Sequence, residues 1–144
     1  IIKENLVFHY FAKSKKNVFR GFHFQRRNQQ IKLVTVLEGK IIDICIDLRK
    51  NSPTFGKSFK ILLSEKNKKS ILIPKGFAHG YLSLNNTNLV YFQNSTYRDK
   101  NQEKGILWND TNLNVKLPIK KPLISKKDQL NMSLKSFQKN YKHI

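Results

Sequence analysis

The sequence has very little cysteine and no long apolar run. Cys45 is the only cysteine among 144 residues, so no disulfide can form within the chain, and a buried inert thiol is expected. No stretch of about eighteen apolar residues occurs, which predicts that no helix spans a membrane. The first residues lack the basic region and continuous apolar stretch of a secretory signal. We therefore expect a cytoplasmic protein without membrane partners.

Acidic residues are also scarce. The chain has 9 Asp and Glu against 28 Lys and Arg, which gives a net charge of +19. A protein this basic is a candidate for a polyanionic partner. Its lysines, however, are spread over turn-like segments instead of lying along one helix. We expect a solvated basic surface and no nucleic-acid partner; attraction of a small anionic ligand and, less favoured, nucleic-acid binding are the alternatives.

Short apolar strands dominate what is present. Hydrophobic residues make up 39% of the chain and include ten Phe, enough for one packed domain, which we place at residues 1–138 with a loose tail at 139–144. Alternating patterns bounded by turn residues predict eight strands, at 5–11, 18–25, 31–37, 40–48, 58–64, 70–73, 80–84 and 88–94. Eight short strands at this spacing are typical of an all-β sandwich or barrel.

Helical periodicity is confined to residues 125–137, where Ser125 is a good N-cap and Asp128 lies in the first turn. In the strand at 40–48, Asp43 and Cys45 share one face, which predicts a side that faces either a cavity or solvent. The fold prediction is thus an all-β domain with a short C-terminal helical segment.

Polar residues interrupt the strands between residues 20 and 34. Arg20, His23, Gln25 and Lys32 stand where a half-buried strand would normally carry Val or Thr. Polar groups on a mostly buried sheet cost free energy unless they are paired. The cluster is therefore either a satisfied structural network or a functional site, and we favour a site.

The stretch from Pro74 to His79 has the Pro-x-Gly-x-x-His form of the second half-motif of cupin barrels. Metal-binding cupins also need a His-x-His pair and a carboxylate in the first half-motif, where this chain has His23-Phe24-Gln25. Two imidazoles without a carboxylate are a weak site for Zn²⁺ or Fe²⁺. We therefore predict a cupin jelly-roll barrel without a metal or other cofactor.

Without a metal, the remaining polar groups suit proton transfer. A histidine oriented by a carboxylate is a general base near pH 7, and a nearby lysine can stabilise a developing oxyanion. A tyrosine on the opposite wall, predicted to be Tyr91, can return a proton. Together, His23, Lys32 and Tyr91 could remove a proton next to a carbonyl and replace it from the other face, which is an epimerisation.

Five motifs then occur in an order similar to that of the dTDP-4-dehydrorhamnose 3,5-epimerase family. They lie at residues 20–25, 32–34, 47–56, 73–80 and 105–110, and the similarity covers residues 7–130. The resemblance implies a homodimeric epimerase that acts on a nucleotide-linked 4-keto-6-deoxy sugar in dTDP-rhamnose and polysaccharide biosynthesis. A sugar-nucleotide-binding cupin that has lost turnover is the alternative.

The resemblance also implies residue roles. His23 would be the base, Asp128 its partner, Lys32 the enolate stabiliser and Tyr91 the proton donor. Arg20 would hold the diphosphate and Tyr97 would stack on the nucleotide base. The further substrate contacts would be Gln30, His79, Glu103 and Lys127.

Three features depart from the family pattern. The N-terminal strand that usually precedes this region is missing from the sequence, and Phe8, His9 and Tyr10 replace the usual polar residues. The loop before Tyr91 is one residue shorter than usual, so a slip would place Phe92 in the site instead. We favour Tyr91, because its spacing to Tyr97 agrees with the family.

Overall fold

Two mainly antiparallel sheets face each other in the computed structural model, which describes residues 3–141. The strands are β1 Phe8–Ser14, β2 Val18–Gln25, β3 Lys32–Glu38, β4 Lys40–Asp47, β5 Ser58–Ser64, β6 Ser70–Ile73, β7 Phe77–Ser83, β8 Asn88–Asn94, β9 Glu103–Gly105 and β10 Leu123–Ile124. The first sheet has the order β1-β8-β3-β6; the second has β10-β2-β7-β4-β5, with β9 paired to β2. This is the predicted all-β jelly-roll barrel.

The space between the two sheets holds the inner core. It is formed by one face of each strand, with the buried residues Val34, Val36, Ile41, Cys45, Leu63, Ile73, Tyr81, Val90 and Phe92. Asp43 belongs to the same face of β4 and is fully buried. The face of β4 that carries Asp43 and Cys45 therefore points into the barrel and not to solvent.

A second core lies between the outer face of the β2-β7-β4 sheet and the C-terminal segment. Its buried members include Phe19, Phe22 and Phe24 on β2, together with Ile106, Leu113, Leu134 and Phe137 from the chain after the barrel. Trp108 packs against this cluster. The C-terminal segment is thereby fixed along the strand that carries His23.

Most predicted strand boundaries agree with the structure, and the bounds of β2, β5, β6 and β8 are as predicted. β1 begins and ends three residues later than expected, and β7 begins at Phe77 instead of residue 80. β9 and β10 were not predicted.

The single predicted helix is two short ones, α1 Lys126–Gln129 and α2 Leu134–Asn140. Between them Met132 forms a bridge with Ile106. Helix α2 includes Lys139 and Asn140, which had been placed in the loose tail, and residues 142–144 of that tail lie outside the described residues. Neither helix in residues 3–141 has the length and apolarity needed to cross a membrane.

Candidate active site

An open cavity of about 560 Å³ lies between the two sheets. This volume is in the range of small-molecule sites. Eight of the ten predicted site residues line it: Arg20, His23, Gln30, Lys32, His79, Glu103, Lys127 and Asp128. Tyr91 and Tyr97 do not.

His23 and Asp128 form a close pair at this cavity. The Nε2–H of His23 donates to Asp128 Oδ1 at 2.6 Å, and the backbone N–H of Gly21 donates to Asp128 Oδ2 at 3.3 Å. Burial, the largest single effect, disfavours the charged form of Asp128, but the interactions with His23, Gly21 and Lys127 together outweigh it and lower the Asp128 pKa. Because the bond to the carboxylate uses Nε2–H, Nδ1 of His23 is left with its lone pair and can accept a proton.

Two local features position this pair. Ser125 caps α1, with its Oγ accepting from the Asp128 backbone N–H at 3.1 Å, so the cap sets the direction of Asp128. On the other side, Gly21 packs directly on Gly80 of β7; a Cβ on Gly21 would lie 2.5 Å from the Gly80 Cα, and its φ is +130°. Glycine at position 21 therefore permits the close approach of β2 to β7.

A second histidine–carboxylate pair lies deeper in the barrel. His79 and Asp43 are both buried, and His79 Nε2 is 2.8 Å from Asp43 Oδ2. His79 is in register with His23 on one side and Cys45 on the other. Burial raises the pKa of Cys45, so its thiol stays protonated. The sequence predicted only that Asp43 shares a strand face with Cys45, facing either a cavity or solvent. It did not predict the pairing with His79.

Lys32 reaches the cavity from the opposite sheet. It lies on β3, and burial lowers its pKa, while Glu103 nearby favours the charged form. A desolvated ammonium group interacts more strongly with a developing negative charge than a solvated one does. Its position suits the predicted role of Lys32, which stays a prediction.

Glu103 holds two cations at the rim of the cavity. Arg98 and Lys127 both donate hydrogen bonds to its carboxylate. Burial opposes ionisation of Glu103, but the hydrogen bonds from Arg98 and Lys127 prevail and lower its pKa to about 2. Two of the predicted substrate contacts, Glu103 and Lys127, therefore contact each other, and Arg98 is a rim residue that the sequence did not suggest.

Arg20 and Gln30 lie at other parts of the lining. The Nε–H of Arg20 donates to Ser14 Oγ at 3.1 Å, and its terminal nitrogen donates to the Lys13 carbonyl at 3.2 Å. The Gln30 amide donates to the Thr96 carbonyl at 2.8 Å. The Arg20 guanidinium is exposed, with donors left for an anionic ligand.

The prediction that Tyr91 faces His23 across the barrel is wrong. Tyr91 lies on the outer face of its sheet, where its ring stacks on Phe11 with centroids 4.9 Å apart. Its hydroxyl donates to Nδ1 of His9 at 2.8 Å. The hydroxyl is therefore directed away from the cavity that contains His23.

Phe92 takes the inward position instead. Successive residues of a strand point to opposite faces, and in β8 the buried residues are Asn88, Val90, Phe92 and Asn94. The Phe92 ring lines the cavity and packs edge-on to His79, with centroids 5.9 Å apart. The structure therefore adopts the one-residue slip that was considered as the alternative to Tyr91. Phe92 has no hydroxyl and cannot donate a proton.

Tyr97 also lies outside the cavity lining. It is 69% exposed, and its ring is 5.5 Å from that of Phe8, a lining residue. An exposed ring beside the cavity is compatible with stacking on a base. That role stays a prediction.

Two other tyrosines line the cavity, and the sequence reasoning missed both. Tyr10 stacks on Phe92 with centroids 4.8 Å apart, and burial raises the pKa of Tyr10 to about 12. Tyr81 is buried, its hydroxyl lies 3.2 Å from Ser14 Oγ, and burial raises its pKa. The available signal for Tyr10 was the aromatic replacement at positions 8–10.

No group of three or more His, Cys, Asp or Glu side chains within residues 3–141 is placed to hold a metal ion. His23 and His79 are each paired with one carboxylate, that of Asp128 and that of Asp43 respectively. Chemistry without a metal stays a prediction.

Comparisons with known proteins agree on one family. A sequence profile for dTDP-4-dehydrorhamnose 3,5-epimerase matches residues 1–136. The chain is 42% identical over 118 residues to the protein of that name from Shigella flexneri, and 43% identical over 119 residues to the one from Salmonella typhimurium strain LT2. Each match covers 81% of this chain and 65% of the relative, so the chain spans just under two thirds of their length.

A solved structure shows the same architecture. The dTDP-6-deoxy-D-glucose-3,5-epimerase of Legionella pneumophila, crystallised with dTDP-4-keto-L-rhamnose, superposes with a TM-score of 0.90 at 36% identity. The match covers 93% of this chain and 72% of that one. The likeness extends over the barrel and the C-terminal segment.

Proposed function

The chain belongs to the dTDP-4-dehydrorhamnose 3,5-epimerase family, and from this premise we propose that it epimerises a nucleotide-linked 4-keto-6-deoxy sugar at C3, C5 or both. The observation that carries the proposal is the 2.6 Å pair of His23 and Asp128 at a cavity that also contains Lys32. The Legionella relative, with a dTDP-linked keto sugar bound, supports the substrate class.

Proton removal is the task of His23. A hydrogen on a carbon next to the C4 ketone is acidic enough to be transferred to a well-placed imidazole. His23 Nδ1 accepts it, and Asp128, which holds Nε2–H, stabilises the imidazolium that forms. Asp128 remains ionised near neutral pH because its pKa is lowered.

The electron pair left by that proton moves into an enolate with negative charge on the C4 oxygen. Lys32 extends from the sheet opposite His23 and can place its ammonium beside this oxygen. The step needs no electron acceptor, since the substrate is neither oxidised nor reduced.

The nucleotide part would bind at the rim. Arg20 has an exposed guanidinium, whose fork of donors suits a diphosphate. Tyr97 offers its exposed ring to the base, and Gln30 and His79 offer polar contacts to the sugar. The net charge of +19 would attract such an anion without binding nucleic acid.

One observation favours a second candidate, a sugar-nucleotide-binding protein without turnover. The inward position of β8 carries Phe92, so the wall opposite His23 lacks a hydroxyl at that place. A site that binds the keto sugar but cannot reprotonate it would bind without inverting.

Solvent exchange separates the two candidates. In D₂O, with dTDP-linked 4-keto-6-deoxyglucose followed by proton NMR, the epimerase incorporates deuterium at C3 or C5. His23→Asn keeps a side chain of similar shape without the base and should lower exchange by about 10²–10⁴-fold. Absence of exchange with the native protein, or unchanged exchange in His23→Asn, would reject the enzyme.

The exposed surface supports a proposal about the partner. The outer face of the β1-β8-β3-β6 sheet exposes Phe11 at 62% and Leu72 at 44%, beside the stacked Tyr91. Exposed apolar side chains on one sheet face fit a second copy of the same chain. We therefore propose a homodimer, and the cytoplasmic location stays the expectation from the sequence.

A further inference from the structure

We propose that Tyr10 is the proton donor that completes inversion, taking the place that Phe92 cannot fill. The inference rests on the proposed epimerase activity and assigns a further catalytic residue to that site. The observations behind it are the sheet to which each tyrosine belongs, the stacking of Tyr10 on Phe92 and an unpaired amide oxygen next to them.

The proposed base and acid belong to different walls of the cavity. Inversion requires that the proton leaves from one face of the sugar and returns to the other, so base and acid must lie on opposite sides. His23 is on β2 of one sheet, and Tyr10 is on β1 of the other. Tyr81, on β7, is in register with Arg20 next to the strand of His23 and so shares the wall of the base.

Within its own wall, Tyr10 lies beside Phe92. Tyr10 is in register with Phe92 on the neighbouring strand, and their rings are nearly parallel, at 9°. The phenol therefore lies one strand away from the place where an inward hydroxyl of β8 would stand. The side chains that act on its hydroxyl are those of Tyr81, Arg98, Asn94 and Glu103.

An unpaired polar group, the side-chain amide oxygen of Asn94, lies on the same wall as Tyr10. Asn94 is 2% exposed and lines the cavity, and within residues 3–141 its Oδ1 has no hydrogen-bond partner. A buried acceptor without a partner costs free energy, which a ligand hydroxyl would recover. The sugar would then bind against the wall that carries Tyr10.

The hydroxyl of Tyr10 also has a suitable proton supply. Like any tyrosine hydroxyl it is protonated at neutral pH, burial raises its pKa to about 12, and the residue is 38% exposed. The Tyr81 hydroxyl lies 3.2 Å from Ser14 Oγ in a buried setting, whereas the Tyr10 hydroxyl interacts with the Asn94 side chain in a partly exposed one. Solvent can therefore restore the proton of Tyr10 after each turnover.

The proton transfers balance. The C–H bond breaks, its proton goes to Nδ1 of His23, and its electron pair forms the enolate that Lys32 stabilises. The O–H bond of Tyr10 then breaks, and the enolate carbon takes that proton on its opposite face while the charge moves to the phenolate. Solvent reprotonates the phenolate and removes the proton from His23.

The test follows exchange and inversion separately by NMR in D₂O, with dTDP-linked 4-keto-6-deoxyglucose. Tyr10→Phe should still exchange the proton that His23 removes, because the imidazolium can return deuterium to the same face. Inversion should fall by about 10²-fold or more. Adding Phe92→Tyr to Tyr10→Phe should restore inversion, since it returns a hydroxyl to the same wall.

Tyr91→Phe is the matched control, since it removes an equivalent hydroxyl from the outer face and should leave both signals unchanged. Inversion by Tyr10→Phe at the native rate, or loss of inversion in Tyr81→Phe instead, would overturn the assignment and leave the epimerase proposal intact. Loss of exchange together with inversion in Tyr10→Phe would overturn it as well, because Tyr10 would then be a substrate-positioning residue and not the proton donor. No exchange with the native protein would reject the epimerase itself.

Discussion

Carboxylates are scarce in this chain, and three of its nine lie in or beside the cavity. Asp128 engages His23, Asp43 engages His79, and Glu103 engages two cations at the rim. Each is paired, as buried or half-buried charges must be to persist. The acids of the site therefore serve as fixed partners that orient imidazoles and cations.

Glu103 gives this pairing a measurable dependence on pH. Its pKa in the folded protein is about 2, below the ordinary value of 4.5, so its contribution to stability is present above pH 4.5 and is lost as the pH falls toward 2. Glu103→Gln should lower the thermal unfolding midpoint at pH 6, and the difference from the native protein should shrink between pH 4.5 and 2. Glu38→Gln, at an exposed position, is the control; a difference for Glu103→Gln that stays constant with pH would contradict the assignment.

The sequence left one residue of the site undecided for a physical reason. Tyr91 and Phe92 are both aromatic and suit a strand equally, so β-propensity cannot choose between them. The choice comes from Asn88, which is fully buried and donates to the carbonyls of Ser14 and Asn85. This long-range anchoring of β8 sets which side chains face inward. By contrast, the pairing of His23 with Asp128 was expected from the family motif.

At the scale of elements, the cap of α1 links helix stability to the site. Ser125→Ala should cost about 1 kcal/mol of unfolding free energy, because the N–H of Asp128 loses its acceptor. It should also lower turnover, since Asp128 is then less well held toward His23. Denaturant unfolding and steady-state kinetics measure the two effects.

Ser133→Ala is the matched variant. Ser133 caps α2 by accepting from Ser136 N–H at 3.1 Å, the same distance as in α1, but α2 carries none of the cavity-lining residues. We expect a similar loss of stability with turnover unchanged. Equal turnover in the two variants would show that the α1 cap does not position Asp128.

Elements with a strong period were predictable from the sequence, and short ones were not. β2 and β8 follow their alternating patterns, whereas β9 and β10 have three and two residues and so show no period. The predicted helix was divided by a tertiary contact: Met132 donates to the Gly105 carbonyl and accepts from Leu107 N–H. Contacts far along the chain override a helical pattern in this way.

At the scale of the whole molecule, the exposed face of the β1-β8-β3-β6 sheet is the interface of the proposed homodimer. Phe11→Glu places a charge where the proposed dimer would bury an aromatic ring, and the dimer should dissociate to folded monomers. Sedimentation velocity measures the mass, and circular dichroism checks the fold. Phe59→Glu is the control, since Phe59 is 56% exposed on the other sheet. A native protein that sediments as a monomer, or a variant that remains dimeric, would refute this interface.

The anchoring of β8 by Asn88 has a consequence for how such a site can change in evolution. Inserting a single amino acid between Asn88 and Tyr91 would turn the following side chains of β8 to the opposite face. The Tyr91 phenol would then face the cavity in place of the Phe92 ring. The number of residues between Asn88 and the site therefore decides which side chain faces the cavity, so an insertion or deletion could change the acid chemistry of the site without substituting any catalytic residue.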